Sequence, residues 1–167
     1  TGQGLPWAST ILNKGYRYNY TLNTISLNQT LTDATDAIKA IYFSYDKSLL
    51  LTGSKDFKGR LYILFNGQYV LTRIFTQTAV ITTVLISSDN LYIYIGDVNG
   101  VMRIYKNSTV GYVLFQTLSG TVPINSASIS NDSLYLTIGI NDGKVKVYKL
   151  NIGSSTSVTY SIQQTLD

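Results

Sequence analysis

All the acid in this 167-residue chain sits on nine aspartates, at 33, 36, 46, 56, 89, 97, 132, 142 and 167. Glutamate, histidine and cysteine are absent. That inventory narrows the chemistry sharply. There is no imidazole to act as general base, no thiolate nucleophile, and no ligand set of the kind zinc prefers. Without cysteine there is also no disulfide, which leaves the redox compartment open. No Walker loop and no GxGxxG run is present to cradle a phosphate. Two aspartates suffice in principle for glycoside hydrolysis. Calcium asks for a denser oxygen cluster than Asp97–Gly100 or Asn141–Gly143 supplies. No catalytic residue, metal or cofactor is assigned.

A second chemistry is carried by asparagine. The triplet Asn-x-Ser/Thr occurs at Asn19, Asn28, Asn107 and Asn131, so these four are candidate N-glycosylation acceptors. Twelve asparagines among 37 serines and threonines predict about three such triplets from composition alone, so position must decide.

Position follows from a repeat. Three segments, beginning near Ala37, Ala79 and Val122, align at a step of 43 residues. Ile38, Ile81 and Ile124 correspond, as do Ser44, Ser87 and Ser130, then Asp46, Asp89 and Asp132, then Gly53, Gly96 and Gly139. Each copy reads as four short alternating strands, a to d; in the last copy these fall near 124–130, 134–140, 144–150 and 158–166. The a–b turn holds the recurring aspartate, which can bond its own backbone. The b–c turn holds Asn, Asp and Gly, the residues of a tight hairpin. Its glycines are matched as Gly59, Gly100 and Gly143, at steps of 41 and 43, which gives the first copy two extra residues in that turn. Strand c is then expected to end at Leu64, Tyr105 or Tyr148. Val145 and Val147 are expected on one face of strand c, and Tyr148 on the other. Residues 6–31 read as a partial copy, b-c-d without a.

Four antiparallel strands every 40–45 residues mark a β-propeller blade. The expected fold is all-β: three full blades at 35–76, 78–118 and 121–166 and one partial blade at 6–31, in a single domain or segment spanning 1–167. The pattern of apolar strand, S-x-D, L-Y-x-x-x-G, then (N)DG and an alternating run ending in an aromatic resembles WD-repeat propellers. It covers about residues 6–166. The resemblance implies that Asp56, Asp97 and Asp142 match the family's b–c turn aspartate. The family's Gly-His pair is absent, and Trp-Asp is replaced by Leu64, Tyr105-Lys106 and Tyr148-Lys149, so the family's buried Asp–His network cannot form.

Against this frame, seven of the nine aspartates lie in recurring turns or at the terminus, and turn chemistry accounts for them. Asn107 and Asn131 fall in a c–d loop and an a–b turn, which emerge on one face of a propeller. Asn28 falls in an outer d strand. Asn19 aligns with Ile104 and Val147, apolar positions that suit an acceptor poorly. Trp7, Tyr16, Tyr18 and Tyr20 read as packing between blades, with a ligand-stacking surface as the rival reading.

Net charge is +4, but only 13% of residues are charged, and Lys144, Lys146 and Lys149 form the densest basic group. That is a solvated strand rim, not a nucleic-acid footprint. No apolar run reaches the ~20 residues of a membrane-spanning helix. Thr1 in place of an initiator, with no signal pattern, predicts a mature protein or an excerpt of a longer one. Ring closure is expected from further blades, a four-bladed ring, or another chain. The functional expectation is non-enzymatic. The leading form is an extracellular or cell-surface glycoprotein carrying N-linked glycans, assembling with copies of itself into a coat or filament. The rival is a cytoplasmic propeller scaffold for protein partners, and a carbohydrate-active propeller enzyme stands third.

Overall fold

The computed structural model describes residues 26–152 and 158–167. The chain divides into a unit of residues 1–30 and a unit of residues 31–167, and the fold described is that of the second. The strand expected over 25–31 is not formed at 26–31, where no strand is assigned. The remainder of the partial copy, with Asn19, Trp7 and the three tyrosines, lies outside the described residues.

Among the described residues twelve strands build three sheets, each a four-stranded antiparallel meander in chain order. The first holds β1 (Ile38–Phe43), β2 (Leu49–Ser54), β3 (Lys58–Phe65) and β4 (Gln68–Thr76). The second holds β5 (Ile81–Ile86), β6 (Tyr92–Asp97), β7 (Met102–Ser108) and β8 (Gly111–Leu118). The third holds β9 (Ile124–Ile129), β10 (Tyr135–Ile140), β11 (Val145–Ile152) and β12 (Val158–Leu166). Among the described residues there is no helix. Short runs rich in Ile, Val, Tyr and Thr punctuated by Asp, Asn and Gly turns leave little alternative to this arrangement.

The a–b turns are built three times from one device. Ser44, Ser87 and Ser130 each donate their hydroxyl to the aspartate two residues on, at 2.7, 2.5 and 2.5 Å. The same hydroxyl oxygen accepts the amide of Leu49, Tyr92 or Tyr135, at 2.8–2.9 Å. The aspartate Oδ1 in turn accepts the amide of Ser48, Leu91 or Leu134 at 2.9–3.0 Å. The next residue after each aspartate, Lys47, Asn90 or Ser133, is left-handed (φ 58° to 63°).

The b–c turns correct the sequence alignment. Phe57, Gly100 and Gly143 occupy one left-handed position, with φ of 67°, 81° and 86°, at a step of 43 throughout. The first copy therefore has no insertion. Gly59 lies inside β3, opposite Gly53 and Phe75. The glycine match failed because the first copy places a phenylalanine where the turn favours glycine. On the corrected register Tyr62, not Leu64, is the counterpart of Tyr105 and Tyr148, and Asn99, not Asp97, is the counterpart of Asp56 and Asp142.

Stacking the sheets buries both faces of the middle one. All six residues of β6 are buried. Ile93 and Ile95 pack with Leu51, Leu61 and Phe75 of the first sheet, and Tyr92 and Tyr94 pack with Leu136 and Ile138 of the third. Each such aliphatic side chain contributes about 1.5–3 kcal/mol on burial. Glycine sets the spacing: a Cβ at Gly53 would stand 2.4 Å from Ile81 Cγ2. The two faces of strand c separate as expected: Tyr148 packs in the interface with the second sheet, while Val145, two residues from Val147, is exposed on the far side.

Candidate interaction surfaces

The b–c end carries the arginine–aspartate pairs. Strand c of the first two sheets holds an arginine that turns back on the adjoining turn. Arg60 Nη1 and Nη2 lie 3.1 and 2.7 Å from Asp56 Oδ1 and Oδ2, a bidentate pair in which the arginine is 1% exposed. Asp56 also accepts the amide and hydroxyl of Thr35 at 3.0 and 3.1 Å. The Arg60 guanidinium holds the Asp56 carboxyl far below the usual carboxylate range, against the opposing effect of burial. In the second sheet Arg103 reaches Asp97 at 3.4 Å and Gln77 Oε1 at 2.6 Å, and Gln77 Nε2 donates to Tyr105 at 2.9 Å. In the third sheet Lys146 stands at the arginine's place, and Lys144 meets Asp167 at 3.6 Å in an exposed pair. These networks were not expected from the sequence. The signal was present, since Arg60 and Arg103 are 43 apart.

The opposite, a–b end is a linked rim. Asn90 Nδ2 donates to Asp46 Oδ2 at 2.9 Å, joining the first and second turns. Ser88 Oγ donates to the Asn131 carbonyl at 2.6 Å, joining the second and third. Bonds from Ser44 first, then from the amide and hydroxyl of Ser48, lower the Asp46 carboxyl to about 2. Beside this rim stand two exposed aromatics, Phe43 (53%) and Tyr45 (86%). They border a cavity of about 210 Å³ shared with Tyr42, Ile86 and Asn131. A second groove, about 410 Å³, opens between the first two sheets over Leu49, Leu61 and Tyr112, with Asn90 and Asn107 on its wall.

The candidate acceptors fall as follows. Asn107 is exposed and sits in the last residues of β7 rather than in the loop itself, paired with Tyr112. Asn131 is exposed in the β9–β10 turn. Both lie at the a–b end. Asn28 is exposed in the separate unit of residues 1–30. The turn aspartates Asp46, Asp89 and Asp132 are bound into their own turns. Among the described residues no group of three or more acidic side chains gathers as a metal site, and no helix is long and apolar enough to cross a membrane.

Comparison with known proteins agrees with this architecture. A family model described as WD domain, G-beta repeat matches residues 25–62, which reach into β3. No curated protein matches the chain. Among solved structures, the crystal structure of Saccharomyces cerevisiae Sqt1 superposes with a TM-score of 0.69 at 15% identity, over 81% of this chain and 36% of that one. The chain thus spans about a third of that structure's length. The three sheets are WD-repeat-like propeller blades.

Proposed function

We propose that the chain is a non-enzymatic protein-interaction scaffold whose docking surface is the a–b rim. One observation carries this reading: Phe43, at the end of β1, and Tyr45, in the turn after it, are exposed beside a cavity, at turns locked to one another by the Asn90–Asp46 and Ser88–Asn131 hydrogen bonds. Exposed aromatics on a rigid rim offer large contact area at small entropic cost, the usual composition of an interface anchor. The match to a WD domain model supports the reading through its fold. The test is selection of a displayed random peptide library on the purified chain, followed by calorimetric titration. Enriched peptides should bind in the micromolar range and lose at least tenfold in affinity to Tyr45→Ser. Enriched peptides that bind the variant unchanged would refute the assignment.

A second reading is favoured by the exposure of Asn107 and Asn131 at one end: an extracellular N-glycosylated protein that self-assembles into a coat or filament. The two readings compete at one place. Asn131 borders the 210 Å³ cavity, so a glycan there would obstruct a peptide. Glycopeptide mass spectrometry of protein secreted from a eukaryotic cell separates them. Glycan mass on Asn107 or Asn131 supports the second, and unmodified asparagine at both sites removes it.

A further inference from the structure

The two interfaces between sheets share one lock, and its two halves recur on the outer sheets without a partner among the described residues. In the first interface Ile81, from the inner strand of the second sheet, sits over Gly53, where a Cβ would meet its Cγ2 at 2.4 Å and Val84 Cγ1 at 2.9 Å. In the second, Ile124 approaches Gly96, where a Cβ would stand 3.3 Å from its Cδ1. The third glycine of the series, Gly139, has no such partner among the described residues. There a Cβ would meet Ser126 of its own sheet, at 3.0 Å. Around it the same face shows Tyr135 (40% exposed), Val145 opposite Gly139, and Leu166 opposite Val145 on the edge strand.

The complementary half is on β1. Ile38, Ile41 and Phe43 stand 43 residues before Ile81, Val84 and Ile86. Those three counterparts pack against the preceding sheet. Both strands carry a bulge after their first residue, skipping Lys39 and Thr82, so the same residues share a face. In β1 they are exposed by 42%, 62% and 53%. Burial of Ile38 and Ile41 is a drive to association, and exposed apolar faces of this kind mark interfaces.

We infer that β1 of one copy docks on the Gly139 face of a second copy, with Ile38 over Gly139, reproducing the Ile81–Gly53 lock between chains. The contact is heterologous, so it closes a ring where the rotation permits and otherwise extends as a filament. The inference does not depend on the rim at Phe43 and Tyr45 binding a peptide, since Ile38, Ile41 and Gly139 alone define it.

The test uses the full chain, its Ile41→Lys and Gly139→Val variants, and light scattering coupled to size exclusion at about 50 µM, within the range expected of a micromolar association. Ile41 is mostly exposed and, among the described residues, a Cβ at Gly139 meets only Ser126, so both variants should keep the far-UV spectrum of the parent; Ile38→Lys is the alternative lesion on β1 if Ile41→Lys does not. The parent should show at least twice the 18.5 kDa chain mass. Each variant alone should run as a monomer. An equimolar mixture should regain a dimer and nothing larger, because one partner keeps an intact β1 and the other an intact Gly139 face. A monomeric parent would overturn the inference. So would variants that keep the parent's mass, or a mixture that stays monomeric.

Discussion

The hydroxyl of Tyr160, on the last strand of the third sheet, donates to the carbonyl of Ser133 at 2.6 Å. The same bond recurs from Tyr112 to Asn90 at 2.5 Å and from Tyr69 to Lys47 at 2.6 Å. In each sheet, therefore, the outermost strand reaches across to the left-handed residue of the a–b turn and accounts for its carbonyl. Tyr160 has one hydroxyl proton, and it goes to Ser133. The 2.8 Å contact between Tyr94 and Tyr160 is then donated by Tyr94.

That assignment predicts an order. Tyr160→Phe strands a carbonyl and a donor together and should lower unfolding free energy by about 2 kcal/mol, while Tyr94→Phe removes one donor and should cost about 1 kcal/mol. The double variant should cost less than the sum, because the two share a bond. Urea unfolding of the four proteins checks this. Strict additivity would contradict the shared bond.

The left-handed turn positions predict gains and losses of opposite sign. Phe57→Gly removes the strain of a bulky side chain at φ 67° and should stabilise by about 1 kcal/mol. Gly143→Ala adds only that strain, since no atom of the described residues lies within 4 Å of its Cβ, and should cost about 1 kcal/mol. Gly100→Ala should cost more, because the new Cβ would stand 2.5 Å from the Val122 carbonyl oxygen. Thermal melts of the three variants rank them. Equal losses for the two alanines would remove the steric part of this prediction.

The buried pair Asp56–Arg60 should fail when one member is cut. Asp56→Asn leaves a guanidinium uncompensated beneath the surface and should cost about 3–5 kcal/mol. The replacement Asp56→Leu with Arg60→Met should cost much less, since it removes both charges. Equilibrium denaturation of the two proteins decides.

Acid should act through the same groups. The folded-state values of Asp56 and Asp46 are depressed, Asp46 to about 2. A depressed carboxylate contributes stability above its unfolded value, near 4, and that contribution is lost as pH falls toward the folded value. The melting temperature should therefore hold down to about pH 5 and decline between about pH 4 and 2. In Asp46→Asn the decline should be shallower. An unchanged acid slope in that variant would exclude Asp46 as a contributor.

The 43-residue step, the strand order and the a–b turn chemistry were all legible in the sequence, because Ser, Asp and Gly recur there at fixed spacing. The b–c register was misread for a physical reason: a left-handed turn position is compatible with Phe57 at some cost, so residue type alone did not mark it. The tyrosine bonds were hidden by geometry. Tyr69 and Tyr112 are 43 apart, but Tyr160 follows Tyr112 by 48, since the last c–d connection is longer. The rim was legible only in part. Asn131 was singled out, whereas nothing in residue type or spacing marked Phe43 and Tyr45, which the fold leaves exposed beside a cavity.

The docking surface can be located directly by hydrogen exchange of the chain with and without a library-selected peptide. Slowed exchange confined to the a–b rim, around residues 43–48, 87–90 and 130–133, is the predicted result. Slowed exchange confined to the b–c turns, around 55–58, 98–101 and 141–144, would contradict the assignment of that rim as the site where this chain meets its partners.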